Sequence, residues 1–160
     1  IGVLRAFATR HGAGPLPTED ALCGASPFLD GEHNVKGRWQ GAFRGGHFDP
    51  VLARYALAAA GRVDKLALTC MDRVAMADGW RCVSAYHEGR DGSVFTVPSA
   101  PVTAADFERW TPLYRRPNYA GPVTGINAEL DVPIGILSFG PSATEKMFLD
   151  SWRRRLCART

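Results

Sequence analysis

An α/β fold with a mixed β-sheet and flanking helices is expected from three features of this sequence. Two short apolar runs, KLALT (65–69) and VPIGILS (132–138), read as buried strands, and each runs directly into a polar loop. A helix with clear start and stop signals precedes the first of them, between Asp49 and Gly61. WRCVSAYH (80–87) and the segment 94–97 alternate as an antiparallel pair, turned at Gly89-Arg90-Asp91-Gly92.

From the start of the chain, residues 1–9 (IGVLRAFAT) are apolar and loosely alternating, so one strand is expected there. From Arg10 to about Gly46 the chain reads as irregular, punctuated by HGAGPLPTED and GRWQGAFRGG. A loop of that length inside a compact domain is uncommon and is often functional. Asp49 is a suitable N-cap and Pro50 suits the first helical position. Val51, Leu52, Tyr55, Ala56 and Ala59 then share a face at helical spacing, and Gly61 ends the helix. Thr103 is expected to cap a helix through Trp110, with Asp106 completing a short capping box. Residues 118–131 carry only a weak helical signal, around 126–130, and residues 143–156 read as a final helix. There is no repeat and no domain boundary, so a single domain over 1–160 is expected.

The composition narrows the function classes. Hydrophobic residues make up 46% and charged residues 22%, with 17 glycines and 11 prolines, the balance of a turn-rich globular chain. No run approaches the 18 or so apolar residues of a membrane span, so no membrane role is expected. Residues 1–9 lack the basic leader and small-residue cleavage site of a signal peptide. The first residue is Ile rather than Met, and the chain is expected to begin inside a longer reading frame. A net charge of +3 is too small to indicate nucleic acid. Much of the excess lies in Arg153, Arg154, Arg155 and Arg159, which read as solvated cations at the negative pole of a helix end. Cys23, Cys70, Cys82 and Cys157 show no paired spacing, so neither zinc nor a disulfide framework is expected. Scattered thiols without a leader suggest a reducing cytoplasmic setting. His11, His33, His47 and His87 fall in loops or at element ends and read as polar loop residues rather than general bases.

Chemistry is expected at two strand-to-loop junctions, Thr69-Cys70-Met71-Asp72 and Ser138-Phe139-Gly140-Pro141. In open α/β sheets, ligands bind beyond the carboxyl ends of strands. An Asp just past a strand can accept hydrogen bonds from both N1 and N2 of guanine, a donor pair that adenine lacks at that edge. Ser138 and the backbone around Gly140 could bond the guanine oxygen or close over the ring. Taken singly, each junction is an ordinary turn.

Five ordered segments carry a resemblance. TRHGAGPLPTE (9–19) is close to TRVGAGPFPTE of the adenylosuccinate synthetases and, as in that family, follows an apolar strand. HFDPVLARYA (47–56) resembles the family's GWLD helix, LALTCMD (66–72) its LTKLD, CVSAY (82–86) its CVAY strand, and VPIGILSFGP (132–141) its VPI-ISTGP near the C-terminus. The similarity covers residues 1 to about 150 and implies the C-terminal region of that fold. It also implies GTP-dependent, magnesium-dependent joining of IMP and aspartate in purine biosynthesis, with guanine held by Cys70, Met71, Asp72, Ser138, Phe139 and Gly140. By the same resemblance, IMP and aspartate would lie near His11, Gly12, Arg38 and Arg44, with residues 9–18 beside the IMP ribose.

The departures are specific. The family's Lys in LTKLD is Cys70, and its TTGRxRR aspartate loop is replaced by KGRWQGAFR (36–44). Arg38 is the best match to the first family arginine, and Arg44 stands for a later one. No GxxxxGK phosphate loop followed by Ser or Thr is present in the 160 residues, nor are the family's catalytic Asp and His region or magnesium ligands. The activity is therefore expected to be incomplete in this chain alone, its other half lying upstream or on another chain as a separate N-terminal half; a homodimer is a further possible partner state. The alternative is a non-catalytic remnant that binds guanine nucleotide or another protein.

Overall fold

The computed structural model describes residues 1–20, 38–75, 80–89, 92–96, 102–115 and 121–149. The main sheet has four strands in the order β1 (Gly2–Arg5), β4 (Leu66–Thr69), β8 (Ile134–Ser138), β9 (Lys146–Phe148). β1, β4 and β8 run parallel and β9 is antiparallel to β8, so the sheet is mixed as expected. Leu66, Leu68, Ile134 and Leu137 are buried in the core of this sheet. Their near-continuous apolar character is what a strand covered on both faces requires.

The first apolar run is two strands, not one. β1 stops at Arg5, and β2 (Ala8–His11) pairs instead with β3 (Phe43–Gly46) in a separate antiparallel ribbon. Ala6 and Phe7, both buried, lie between β1 and β2 and belong to neither strand. The break is fixed by hydrogen bonds: the Ala6 amide donates to the Thr69 carbonyl at 3.1 Å, and the Trp80 indole donates to the Ala6 carbonyl at 2.9 Å. β2 and β3 also give structure to both ends of the segment read as irregular.

Helix α1 (Pro50–Ala60) has the expected caps. Asp49 accepts from the Leu52 amide at 3.0 Å, and Gly61 ends the helix at φ +76°. Its buried face differs from the expected one: Val51 and Ala53 are buried and Leu57 packs on the core, while Ala56 and Ala59 are exposed. Among the described residues, the exposed positions of the helix gather toward its C-terminal end, at Ala56, Ala58, Ala59 and Ala60. A second three-stranded sheet, β6–β5–β7, joins β5 (Cys82–Glu88) to the expected β6 (Val94–Phe95) and to an unexpected β7 (Trp110–Arg115). Pro112 obscures β7 in the sequence, but the strand lies at the sheet edge, where a missing N–H is tolerated. Arg90, Asp91 and Val97 lie outside the described residues.

Helix α2 (Met71–Ala75) follows β4 at once. Helix α3 (Ala104–Arg109) begins at Thr103, whose amide and hydroxyl both donate to Asp106. Helix α4 spans Pro122–Glu129, beginning earlier than the weak signal at 126–130. The expected final helix is not formed where described. Ala143–Glu145 is one 3-10 turn, and β9 pairs along β8, with the Leu149 amide donating to Gly135. Pairing satisfies an edge of β8 that would otherwise be left open. Residues 150–160, with Cys157 and the C-terminal arginines, lie outside the described residues, as do Cys23 and His33. No helix among the described residues is long and apolar enough to cross a membrane.

Candidate functional site

Parallel pairing determines where the site lies. The carboxyl ends of β1, β4 and β8 lie at the same end of the sheet, with Arg5 in register with Thr69 and Leu68 with Leu137. Residues distant in sequence therefore meet beyond the strand ends. Asp72, Arg73, Ser138 and Gly140 line one cavity of about 290 Å³, together with Arg5, Thr69, Cys70 and Pro141. Of the six residues the resemblance points to for guanine, Cys70, Asp72, Ser138 and Gly140 line this cavity. Met71, 3% exposed, and Phe139 instead pack in or against the core.

Cys70 adopts a left-handed backbone, φ +59°, which is rare for a residue with a Cβ and costs on the order of 1 kcal/mol. This turn lets β4 lead into α2 with Asp72 at the cavity. Opposite it, the loop after β8 is held by its own polar groups. The Ser138 hydroxyl donates to the Gly140 carbonyl at 3.2 Å, and the Lys146 ammonium donates to the carbonyls of Gly140 and Ser142. The Ser142 amide donates to the Glu145 carboxylate at 2.7 Å, which holds that carboxyl below its ordinary pKa. A Cβ on Gly140 would stand 2.1 Å from the Glu145 carboxylate, so a side chain there would push that carboxylate from its place beside the Ser142 amide.

Removing the ammonium tests how firmly this loop is held. Lys146→Met is expected to weaken it by about 1 kcal/mol. Amide exchange at Phe139 and Ser142 should then quicken roughly fivefold, while the amides of β4 keep their wild-type rates. Equal exchange in the loop of both proteins would show that Lys146 does not hold it.

The residues expected near IMP and aspartate gather in part. His11, Gly12 and Arg44 meet in the β2–β3 ribbon, where the Gly12 amide donates to Ala42 and a Cβ on Gly12 would lie 2.7 Å from the Gln40 carbonyl. Arg44 makes two hydrogen bonds to Glu19, at 2.7 and 2.5 Å, and donates to the carbonyls of Gly12 and Gly14 at 2.8 Å each. This bidentate pair raises the Arg44 pKa and lowers that of Glu19. Arg44 thereby fastens the GAGP turn to β3. The His11 ring packs on Phe43, with centroids 4.7 Å apart. Arg38 is exposed, with its guanidinium 5.1 Å from the Trp39 ring centroid, and Lys36 and Gly37 lie outside the described residues.

His47 is buried. It accepts the Arg81 amide at Nδ1 and meets Asp20 at Nε2, 3.0 Å away, so the ring serves the packing. Burial lowers its pKa. His87 Nδ1 lies 2.7 Å from the Gly89 carbonyl at a strand end.

A second, more apolar opening of about 410 Å³ lies beside the first. Thr9, Arg10 and Pro15 from the GAGP segment line it, facing Phe48, Leu52 and Phe107. Arg5 lines both openings. Arg5 and Arg73 line the first cavity and were not singled out by sequence reasoning, whereas Thr69 belongs to the expected junction. The one signal for Arg5 was a charge at the end of an apolar run, and it acquires meaning only from the register of β1 on β4.

The family model described as adenylosuccinate synthetase matches residues 1–139. An adenylosuccinate synthetase of Shewanella oneidensis is 30% identical over 178 aligned residues, covering 94% of this chain and 38% of that protein. One from Streptomyces coelicolor is 35% identical, covering 83% of this chain and 30% of that protein. The matched part is thus 38% and 30% of the length of these two relatives. The structure of fully ligated adenylosuccinate synthetase from Plasmodium falciparum superposes with a TM-score of 0.75 at 17% identity, covering 92% of this chain and 39% of that one. That likeness is one of fold.

Proposed function

The chain belongs to the adenylosuccinate synthetase family, and from that premise we propose that it supplies a guanine-recognising pocket to a GTP-dependent joining of IMP and aspartate in the cytoplasm. One observation carries this reading: Asp72 and the Ser138–Gly140 turn line the same cavity at neighbouring strand ends. Asp72 presents a carboxylate to the N1 and N2 donors of guanine, and the Ser138–Gly140 side closes the opposite wall. The adjoining opening, lined by Thr9, Arg10 and Pro15, has room for the second nucleotide, IMP.

Phosphoryl transfer depends on positioning and on neutralising charge around the phosphates. The 160 residues contain no glycine-rich phosphate loop. Among the described residues no cluster of His, Cys, Asp and Glu could hold a metal ion. The described residues therefore do not form a magnesium site. The reaction would be completed by the family's N-terminal half, lying upstream or on another chain. A second reading, a binding protein without ligase activity, is favoured by Arg44. Its guanidinium is engaged by Glu19 and two loop carbonyls rather than presented as a clamp for a dicarboxylate.

Calorimetric titration with GDP, GTP and IMP, with ADP as control, tests the pocket. Weak binding selective for guanine is expected, because base contacts remain while most phosphate contacts are missing. In Asp72→Asn one carboxylate oxygen becomes an NH₂ group facing a guanine donor. Affinity for GDP should then fall about tenfold, with little change for ADP. GDP binding that is indifferent to Asp72→Asn would remove Asp72 from base recognition.

A further inference from the structure

Two arginines reach the GAGP turn, one from each strand of the ribbon that carries it. Arg10 on β2 and Arg44 on β3 are in register, directly opposite one another. Arg44 donates to the carbonyls of Gly12 and Gly14 at 2.8 Å, and Arg10 Nε donates to the carbonyl between them, Ala13, at 3.3 Å. Like charges directly opposite on paired strands repel. The two cations are compensated differently. Glu19 neutralises Arg44 through two hydrogen bonds. Arg10 has no carboxylate partner among the described residues, and its side chain makes one hydrogen bond there, from Nε to Ala13. That bond leaves the two terminal nitrogens, the end of the fork that grips a carboxylate or a phosphate.

The Arg10 head group is also held in place. A Cβ on Gly14 would stand 2.8 Å from its Cζ and 3.0 Å from its Nε, so the guanidinium occupies the space that this glycine leaves. The bond to Ala13 and the hollow at Gly14 keep an exposed cation beside the larger opening, which Arg10 and Pro15 both line. Phe7, Phe48, Leu52 and Phe107 make the rest of that wall mainly apolar. Asp49, the acid among the lining residues, is engaged by the Leu52 amide and the Tyr86 hydroxyl. A fixed cation at the margin of an apolar wall suits a ligand with a flat body and an anionic end. Neither Arg38 nor Arg44, the arginines that the resemblance points to for IMP and aspartate, lines this opening.

We propose that Arg10 is the oxyanion-binding residue of the larger opening, taking the phosphate of IMP or a carboxylate of aspartate. The inference rests on the reading of that opening as the place of IMP, and it adds the group that recognises the charge of the ligand. An oxyanion on the free end of the Arg10 fork would also compensate the cation that Glu19 leaves unpaired in the Arg10–Arg44 register.

The test titrates the full chain with IMP, inosine, inorganic phosphate and L-aspartate, followed by calorimetry and by the Arg10 Nε–Hε resonance in isotope-labelled protein. IMP is expected to bind about fivefold tighter than inosine, with the gap closing as salt screens the charges. Arg10→Gln should abolish that gap, and Arg10→Lys, which keeps the charge but loses the fork, should leave about twofold. Both substitutions fall at an exposed side chain, and equal melting temperatures of the three proteins show that the fold is intact. A gap that depends on Arg10 assigns the phosphate. Affinity for aspartate that depends on Arg10, with no such gap, assigns the carboxylate. If neither IMP nor inosine binds while phosphate or aspartate moves the Arg10 resonance, the anion site stands and the IMP reading falls. Binding of IMP and of aspartate that is indifferent to Arg10→Gln overturns the proposal and leaves the IMP reading in place. No response to any of the four overturns both.

Discussion

Trp80→Ala should lower the unfolding free energy by about 3–5 kcal/mol, the usual cost of emptying a large aromatic site in a core. For a chain of this size that corresponds to a fall in Tm of roughly 10 °C. The indole is 8% exposed and stacks on Phe48, with ring centroids 6.3 Å apart. Its N–H also donates to the Ala6 carbonyl at 2.9 Å. Trp80→Phe separates the two contributions, since it keeps an aromatic ring but leaves that buried carbonyl without its donor, at about 1–3 kcal/mol. Ala6 directly follows Arg5, so the same bond anchors the point where the chain leaves the main sheet for β2. Urea titrations of the three proteins measure both costs. A loss below about 1 kcal/mol in Trp80→Ala would show that the indole is not a core element.

What could be read from the sequence follows from what is local. Helix α1 was legible because its signals lie within a dozen residues: Asp49 before it, Pro50 inside it and Gly61 after it. β4 and β8 were legible as apolar runs, and the ligand-binding habit of parallel strand ends selected Asp72, Ser138 and Gly140, which do meet in one cavity. Features that depend on pairing at a distance were not legible. Arg5 joins the cavity only because β1 lies parallel to β4, 64 residues later in register. The engagement of Arg44 by Glu19 spans 25 residues. It turns a candidate substrate arginine into a fastener of the GAGP turn, and no spacing rule announces it. β7 was hidden by Pro112, a breaker in a central strand but harmless at an edge. β9 was hidden by a segment whose composition suits a helix and whose fate was decided by the open edge of β8.

The wall shared by α1 and the larger opening depends on one buried carboxyl, and its removal should have the second large effect. Asp49, 8% exposed, accepts from the Leu52 amide at 3.0 Å and from the Tyr86 hydroxyl at 2.5 Å. It therefore caps α1 and joins that helix to β5. Asp49→Ala loses the cap, about 0.5–2 kcal/mol, and strands a buried tyrosine hydroxyl, about 1–3 kcal/mol, for a total of about 2–4 kcal/mol. Burial raises the Asp49 pKa above its ordinary value, against the opposing pull of its hydrogen bonds from Tyr86 and the helix amides. The native state therefore holds this proton more firmly than the unfolded chain does. The stabilisation tied to that proton is complete below the unfolded value of about 3.8 and is lost as pH rises through the folded value. Asp49→Asn stays neutral at every pH and keeps a carbonyl to cap Leu52, so it should lose much less than Asp49→Ala. Relative to Asp49→Asn, the wild type should weaken as pH rises from about 4 toward 7. Urea midpoints of the three proteins across that range measure both effects. A wild type that instead gained on Asp49→Asn with rising pH would mean that the hydrogen bonds outweigh burial. Asp49 would then be held as a stabilised carboxylate at the edge of the opening rather than as a buried acid.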